Sequence, residues 1–380
     1  MAAVSVDVTK FGAVGDGNVD DTAAIRMAVA NCNSKLRTVQ PRGGTYMGTC
    51  PELYFPSGVY KVSGPISLNP YQTVRGDGSV IVQSSDSSQV FVMDGGYRNA
   101  LIGIQIIGGS KQVVFTNSNI DMSYLTIRDC GFQGWSEQAV FAEGTVDDLH
   151  LSATMHIDRC TFDGPCGVYT HCDTTEISNC TILFRGSRIP NGSGWVTNKG
   201  TLRNTGEFAF GGSLGLTNNT MVPSQPIVPA EDGSSPKTVK AYWIVNEGSV
   251  LCRRVRFSGE GAGVPIVLHK APINLRNPWA GSTIAFDGGC QLSCGQDGDS
   301  TAAIVTVSGG LPQSLRIESS KGLVSNKIPI IRVADGYDVA KDVATIKSKA
   351  APSLPMYSIT LSGDQFLYAP FPSILQQFVK

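Results

Sequence analysis

The sequence predicts an all-β solenoid, from three observations: short alternating apolar runs, abundant glycine, and a repeat that returns one apolar pattern at coil-length intervals. The 380 residues include 43 Gly and 20 Pro, and charged residues make up only 16%, against about 25% in an average globular chain. That composition suits many turns and few helices. From 52 to 335 the apolar runs are short and end at Gly, Asn, Asp or Pro, as in VYKVSG, VRGDGSVIVQ and LIGIQIIGG. Alternation of this kind is the period of half-buried strands.

The one strong helical signal comes first. Asp20 and Asp21 precede TAAIRMAVANC, in which Ile25, Met27, Ala28 and Val29 form an apolar face behind an acidic cap, so a helix is predicted over about 21–32. The strands that follow carry the repeat: LTIRDCGF (125–132), MHIDRCTF (155–162), TEISNCTI (175–182) and GLTNNTM (215–221). Aligned, they put Ile127, Ile157, Ile177 and Leu216 in one buried column and Phe132, Phe162, Ile182 and Met221 in another, with a polar bend between. Adjacent parallel coils lie about 4.8 Å apart. The alignment then sets Arg128 beside Asp158, Asp129 beside Arg159 and Asn179 beside Asn218, all favourable pairs.

Thirty Lys and Arg against 31 Asp and Glu leave a net charge of −1, so no overall field concentrates the protein on nucleic acid or anionic membrane. No run approaches the roughly 20 apolar residues that span a bilayer. The start, MAAVSVDVTKFG, lacks the blocks of a signal peptide, and a soluble chain is expected. The ten cysteines sit in core-like contexts such as RDCGF and SNCTI and read as reduced thiols used as small apolar side chains.

VDVTKFGAVGDGNVDDTAAIRMAV (6–29) resembles the amino-terminal signature of the pectate-lyase-like superfamily, and LYFPSGVYKVSG (53–64) resembles that superfamily's first coil. The resemblance implies a single-stranded right-handed parallel β-helix whose open end is covered by the capping helix, with Gly12, Gly15 and Gly17 allowing tight turns. Residues 1–50 would then be the cap, 51–335 the β-helix, and 336–380 a carboxy-terminal cap or trimer contact. Reduced cysteines and no signal peptide make the chain similar to bacteriophage tailspikes. That likeness implies a homotrimer in the virion tail, or otherwise a secreted or cell-surface protein, that binds and cleaves a bacterial capsule or O-antigen. Other phage tail proteins would be further partners; no cofactor, nucleic acid or membrane insertion is implied. Because the fold hosts lyases, hydrolases, epimerases and inert spikes alike, the chemistry has to be read from particular residues.

His156 and Glu176 precede inward Ile157 and Ile177, so both should point outward on successive coils, with Gly215 next in the column and the insertion 184–213 alongside. Tyr169, His171, Asp173 and Glu176 fall within eight residues. Glycoside hydrolysis needs one carboxyl as acid and another as base or nucleophile; Glu176, Asp173, Glu207 and Asp163 are the candidates, with His156 beside them. Elimination from a uronate needs a base and a group that neutralises the carboxylate, roles open to His156, His171 or Tyr169 and to Arg185 or Arg188. Trp135 and Trp195 sit in polar turns and are expected to stack on sugar, whereas Trp243 and Trp279 read as core or interface. No metal site is expected: C-x-x-C is absent, and QDGDS (296–300) lacks calcium-loop spacing. GAVGDG lacks the Lys-Ser/Thr of a phosphate loop. The leading expectation is a depolymerase, hydrolysis ahead of elimination, and the alternative is a non-catalytic glycan-binding spike.

Overall fold

The computed structural model describes residues 5–39, 47–116, 124–143, 154–184, 193–199, 213–223, 241–257, 264–271, 282–293, 303–318, 320–322, 329–349, 358–362 and 372–379. They belong to two compact units, Met1–Val168 and Tyr169–Lys380, and the fold is the expected right-handed parallel β-helix.

In the first unit, Ser5–Asp7 pairs with Glu52–Phe55 and Asp16–Asp20 with Val59–Val62. Thr73–Gln83, Ala100–Ile107 and then Leu125–Arg128 and Thr154–Asp158 follow in parallel. A second sheet runs Ile66–Ser67, Phe91–Asp94, Lys111–Thr116, Gln138–Glu143, also parallel. Each coil thus contributes to both sheets and encloses a core. Leu53, Val74, Leu101, Ile127 and Ile157 stand in register and are fully buried, and each such side chain gains about 1.5–3 kcal/mol on leaving water. Phe132 and Phe162, also in register, stack with ring centroids 4.8 Å apart and an interplanar angle of 10°.

The helix is Thr22–Ser34, packed on Ser5–Asp7, Glu52–Phe55 and Ile66–Ser67. Ile25, Ala28 and Val29 are buried, but Met27 is 53% exposed; its place on the helix turns it from the buried face. The two aspartates divide their tasks. Asp20 accepts the Thr22 N–H at 3.0 Å, while buried Asp21 turns its carboxylate to the Val14 and Gly15 N–H groups at 2.6 and 3.2 Å.

In the second unit, Thr174–Ser178, Ser213–Thr217, Ser249–Arg253, Thr283–Asp287 and Ser314–Ile317 pair in parallel. Pairing does not stop at the expected boundary of 335, because Ser358–Leu361 adds to Ser314–Ile317 beyond the helix Val339–Lys349. The interior column runs Ile177, Leu216, Cys252, Phe286, Ile317, and Ile182 faces Met221 in the adjoining row. A third row, Gly194–Asn198, Tyr242–Asn246, Val267–His269, Val305–Val307 and Ile331–Val333, closes each coil.

The polar bends of the repeat are left-handed corners. Asp129 and Arg159 in the first unit, and Asn179, Asn218 and Arg254 in the second, have φ between 50° and 57°. After every one of these corners but Arg254, which Val255 follows, the next buried residue donates to a carbonyl that leaves the sheet ladder. Cys130 and Cys160 Sγ donate to the carbonyls of Arg128 and Asp158 at 3.2 and 3.3 Å. Asn219 takes the same place, donating to Ile177 O at 2.7 Å and accepting from Cys180 N at 2.8 Å. All the described cysteines carry free thiols, here used as corner donors as well as filler. The charge pairing also holds: the Arg159 guanidinium grips Asp129 through two bonds of 2.7 and 2.8 Å, and Asn218 donates to Asn179 at 3.1 Å.

Candidate functional site

In the second unit, the segment from Tyr169 to Glu176 is held by a buried hydroxyl clasp. Thr170 and Thr175 Oγ1 lie 2.7 Å apart, and the Cys172 N–H donates to Thr170 Oγ1 at 3.0 Å. With Thr170, Cys172, Thr175 and Ile177 turned inward, Tyr169, His171, Asp173 and Glu176 are partly exposed. The segment thus leaves two carboxylates, an imidazole and a phenol partly exposed, Tyr169 at the end of one strand and Glu176 on the next, with Tyr169 and His171 in contact.

Tyr169 Oη approaches His171 Nε2 at 3.4 Å, and the two rings are 5.4 Å apart and tilted by 50°. Burial pushes the Cys172 thiol up to about 11, so it stays protonated at neutral pH and is packing rather than a nucleophile. Glu176 is paired in register with Gly215. Among the described residues, a Cβ at 215 would meet only Glu176 Cγ and Thr175 O, both at 3.8 Å. The register of Glu176 with Gly215 is the one the alignment gives.

In the first unit, His156 lies in register with Thr126 and is exposed, and Asp163 is partly exposed, opposite Gln133. Glu207, Arg185, Arg188, Trp279 and QDGDS (296–300) lie outside the described residues.

Both tryptophans expected to stack on sugar are core residues. Trp135 is 3% exposed, its Nε1–H donates to Cys166 O at 2.9 Å, and its ring stands edge-on to Phe162. The turn at Gly134, with φ 70°, sends the ring back under Gly164, where a Cβ would come within 2.8 Å of it. Trp195 is fully buried within Gly194–Asn198. At Trp135 the polar neighbours misdirected the reading, because Gln133, Ser136 and Glu137 are exposed while the indole fills the coil; Trp195 instead lies in a strand that is itself buried at Gly194, Val196 and Asn198. Trp243 is buried in its strand as expected.

Two features escaped the sequence reading. One is a buried polar ladder: Asn198 Nδ2 donates to Asn246 Oδ1 at 2.9 Å, Asn246 Nδ2 lies 3.3 Å from His269 Nδ1, and His269 Nε2 lies 3.1 Å from Ser282 Oγ. Burial holds the His269 pKa down, at about 4. The other is a set of tyrosines at one coil corner of the first unit. Extending the repeat alignment back from Leu125 to YRNAL and YQTV would have revealed it.

The profile of the rhamnogalacturonase A/epimerase, pectate lyase-like family matches residues 5–228. The chain belongs to this family. Beyond the family match, a stretch of 72 residues is 44% identical to a probable glucan endo-1,3-beta-glucosidase of Arthroderma benhamiae, covering 19% of this chain and 8% of that protein. The matched stretch is thus a small fraction of that relative's length. Among solved structures, the A-module of mannuronan C-5 epimerase AlgE6 from Azotobacter vinelandii aligns over 87% of this chain and 98% of its own, at 13% identity and a TM-score of 0.44. A tailspike protein of E. coli bacteriophage HK620 aligns over 97% of this chain and 67% of its own, at 11% identity and a TM-score of 0.44.

Proposed function

We propose that this member of the pectate-lyase-like family is a polysaccharide-acting enzyme, a tailspike-like depolymerase of a bacterial surface glycan. The observation that supports the reading is the partial exposure of Tyr169, His171, Asp173 and Glu176 along one clasped segment, with Gly215 in register with Glu176. A hydrolase requires two carboxyl groups across the scissile bond, one protonated and one ionised. Asp173 and Glu176 take these roles, and Glu207 on the insertion is the carboxylate to test beside them. Arg185, on the same insertion, is assigned to substrate binding with Tyr169 and His171.

The Tyr169–His171 contact favours a second reading, elimination from a uronate. Histidine in its neutral form would draw the phenol proton, the phenolate would remove the C5 proton next to the substrate carboxylate, and the C4–O bond would break with the leaving oxygen taking the proton from the imidazolium. His156 and Asp163, on the outer side of the first unit, enter the same mutational test. A homotrimer and a virion location belong to this proposal through the tailspike likeness.

The experiment is incubation with capsules and O-antigens from a strain panel, followed by product sizing. Cleavage with a new reducing end and no new ultraviolet absorbance marks hydrolysis, and an unsaturated product marks elimination. Glu176→Gln or Asp173→Asn is expected to slow cleavage by about 10²–10⁴ with polysaccharide binding and melting temperature unchanged. Wild-type rates in both would reject this cluster, and retention of glycan without cleavage by the unmodified protein would make it a binding spike.

A further inference from the structure

We infer that the first unit carries a binding ladder for an anionic glycan, built from Tyr71, Tyr97, Arg98 and Tyr124. Thr73, Ala100 and Thr126 stand in register, so Tyr71, Arg98 and Tyr124, each two residues earlier, occupy the same corner of three successive coils. All three have left-handed backbone, with φ of 62°, 53° and 58°. Bulky side chains are disfavoured there, and glycine or asparagine would be at ease. The corners are nevertheless fixed from beneath: Asn99 Nδ2 donates to Asn69 O at 2.7 Å, Tyr71 N to Tyr97 O at 2.7 Å, and Thr126 N to Asn99 O at 2.9 Å.

What this strained row displays is aromatic and cationic. The Tyr71 and Tyr97 rings are 5.3 Å apart, and those of Tyr97 and Tyr124 are 5.9 Å apart. The Arg98 guanidinium lies 6.0 Å from the Tyr97 centroid and 5.5 Å from that of Tyr124. The Tyr71 ring lies against Gly48, where a Cβ would come within 2.5 Å of it. Tyr124 is 48% exposed, and Arg98 is exposed and makes no ion pair among the described residues. A buried core explains none of this.

Rings tilted and edge-on to one another over three successive coils offer apolar surface to a pyranose, and the guanidinium, with no ion pair among the described residues, supplies a fork for a carboxylate or sulfate on the sugar. The row also leads toward the outward strand face, since Thr126, two residues beyond Tyr124, is the register partner of His156. A glycan lying on the ladder would be delivered along the face that presents that histidine. The ladder is a positioning surface, with no bond made or broken on it.

This inference rests on the reading of the chain as polysaccharide-acting, and the test separates the two. The full chain is titrated with polygalacturonate, dextran sulfate and neutral dextran by affinity electrophoresis and calorimetry. Arg98→Gln and Tyr124→Ala should each weaken binding of an anionic polymer by about tenfold, the scale of one lost contact of roughly 1.4 kcal/mol. Tyr124→Phe, which keeps the ring, should bind as the unmodified protein, and all melting temperatures should be unchanged. Retention of polygalacturonate alone identifies carboxylates as the ligand, and retention of both anionic polymers identifies charge in general; either supports the ladder. Undiminished binding in Arg98→Gln and Tyr124→Ala overturns the ladder while leaving the enzyme reading in place, and absence of binding to every polysaccharide in the unmodified protein overturns both. A changed oligomeric mass in Tyr124→Ala with unchanged glycan affinity would assign the row to contact between copies and also overturn it.

Discussion

His269 makes stability depend on pH in a way that can be isolated by one substitution. Asn246 Oδ1 accepts from Asn198 Nδ2 and from Gly248 N at 2.9 and 3.1 Å, which fixes the amide so that its Nδ2 faces His269 Nδ1. Nδ1 must therefore be the unprotonated acceptor, leaving Nε2–H to donate to Ser282 Oγ. A proton on Nδ1 would set two donors against each other in a fully buried site. The native pKa of about 4 lies below the ordinary value of about 6.5, so the unfolded chain takes up the proton first. The stabilisation is complete above pH 6.5, falls as pH drops through the window, and is gone below about 4. A displacement of about two and a half pKa units corresponds to about 3 kcal/mol. Urea unfolding at intervals between pH 7 and 4 should show this loss in the unmodified protein on top of what its carboxylates contribute. His269→Asn, which extends the amide ladder with a group that does not titrate, should flatten the curve by that amount. Parallel curves for the two proteins would refute the assignment of the neutral, buried ring.

Phe162→Ala removes a side chain that is 1% exposed and stacked on Phe132, and chemical denaturation should record a loss of about 3–5 kcal/mol. Arg159→Ala breaks the two-bond grip on Asp129, whose pKa the arginine holds below the usual carboxylate range; both partners are exposed and screened by solvent, so urea unfolding at neutral pH should show a midpoint close to that of the unmodified protein. Light scattering at micromolar concentration is expected to return three times the 40.2 kDa chain mass, and a monomer mass would remove the trimer from the proposal.

The coil register was legible in the chain itself. Period-two alternation shows which of Ile127, Ile157, Ile177 and Leu216 faces inward, and the left-handed corner recurs at one polar position, so Asp129, Arg159, Asn179 and Asn218 align without knowledge of the fold. The partial exposure of Tyr169, His171 and Asp173 has the same period of two, and that of Glu176 belongs to the next strand, where the phase is reset. What only tertiary structure decided is which turn residues return to the core and which distant corners stack. Trp135 and Trp195 stand in polar stretches of sequence, yet both rings are buried, that of Trp135 in the space Gly164 leaves empty. His269 meets Asn246 and Ser282, and Tyr97 meets Tyr71 and Tyr124, across loops of unequal length. Alternation is a property of neighbours along the chain, whereas contact between coils depends on how many residues each turn spends before it comes back into register.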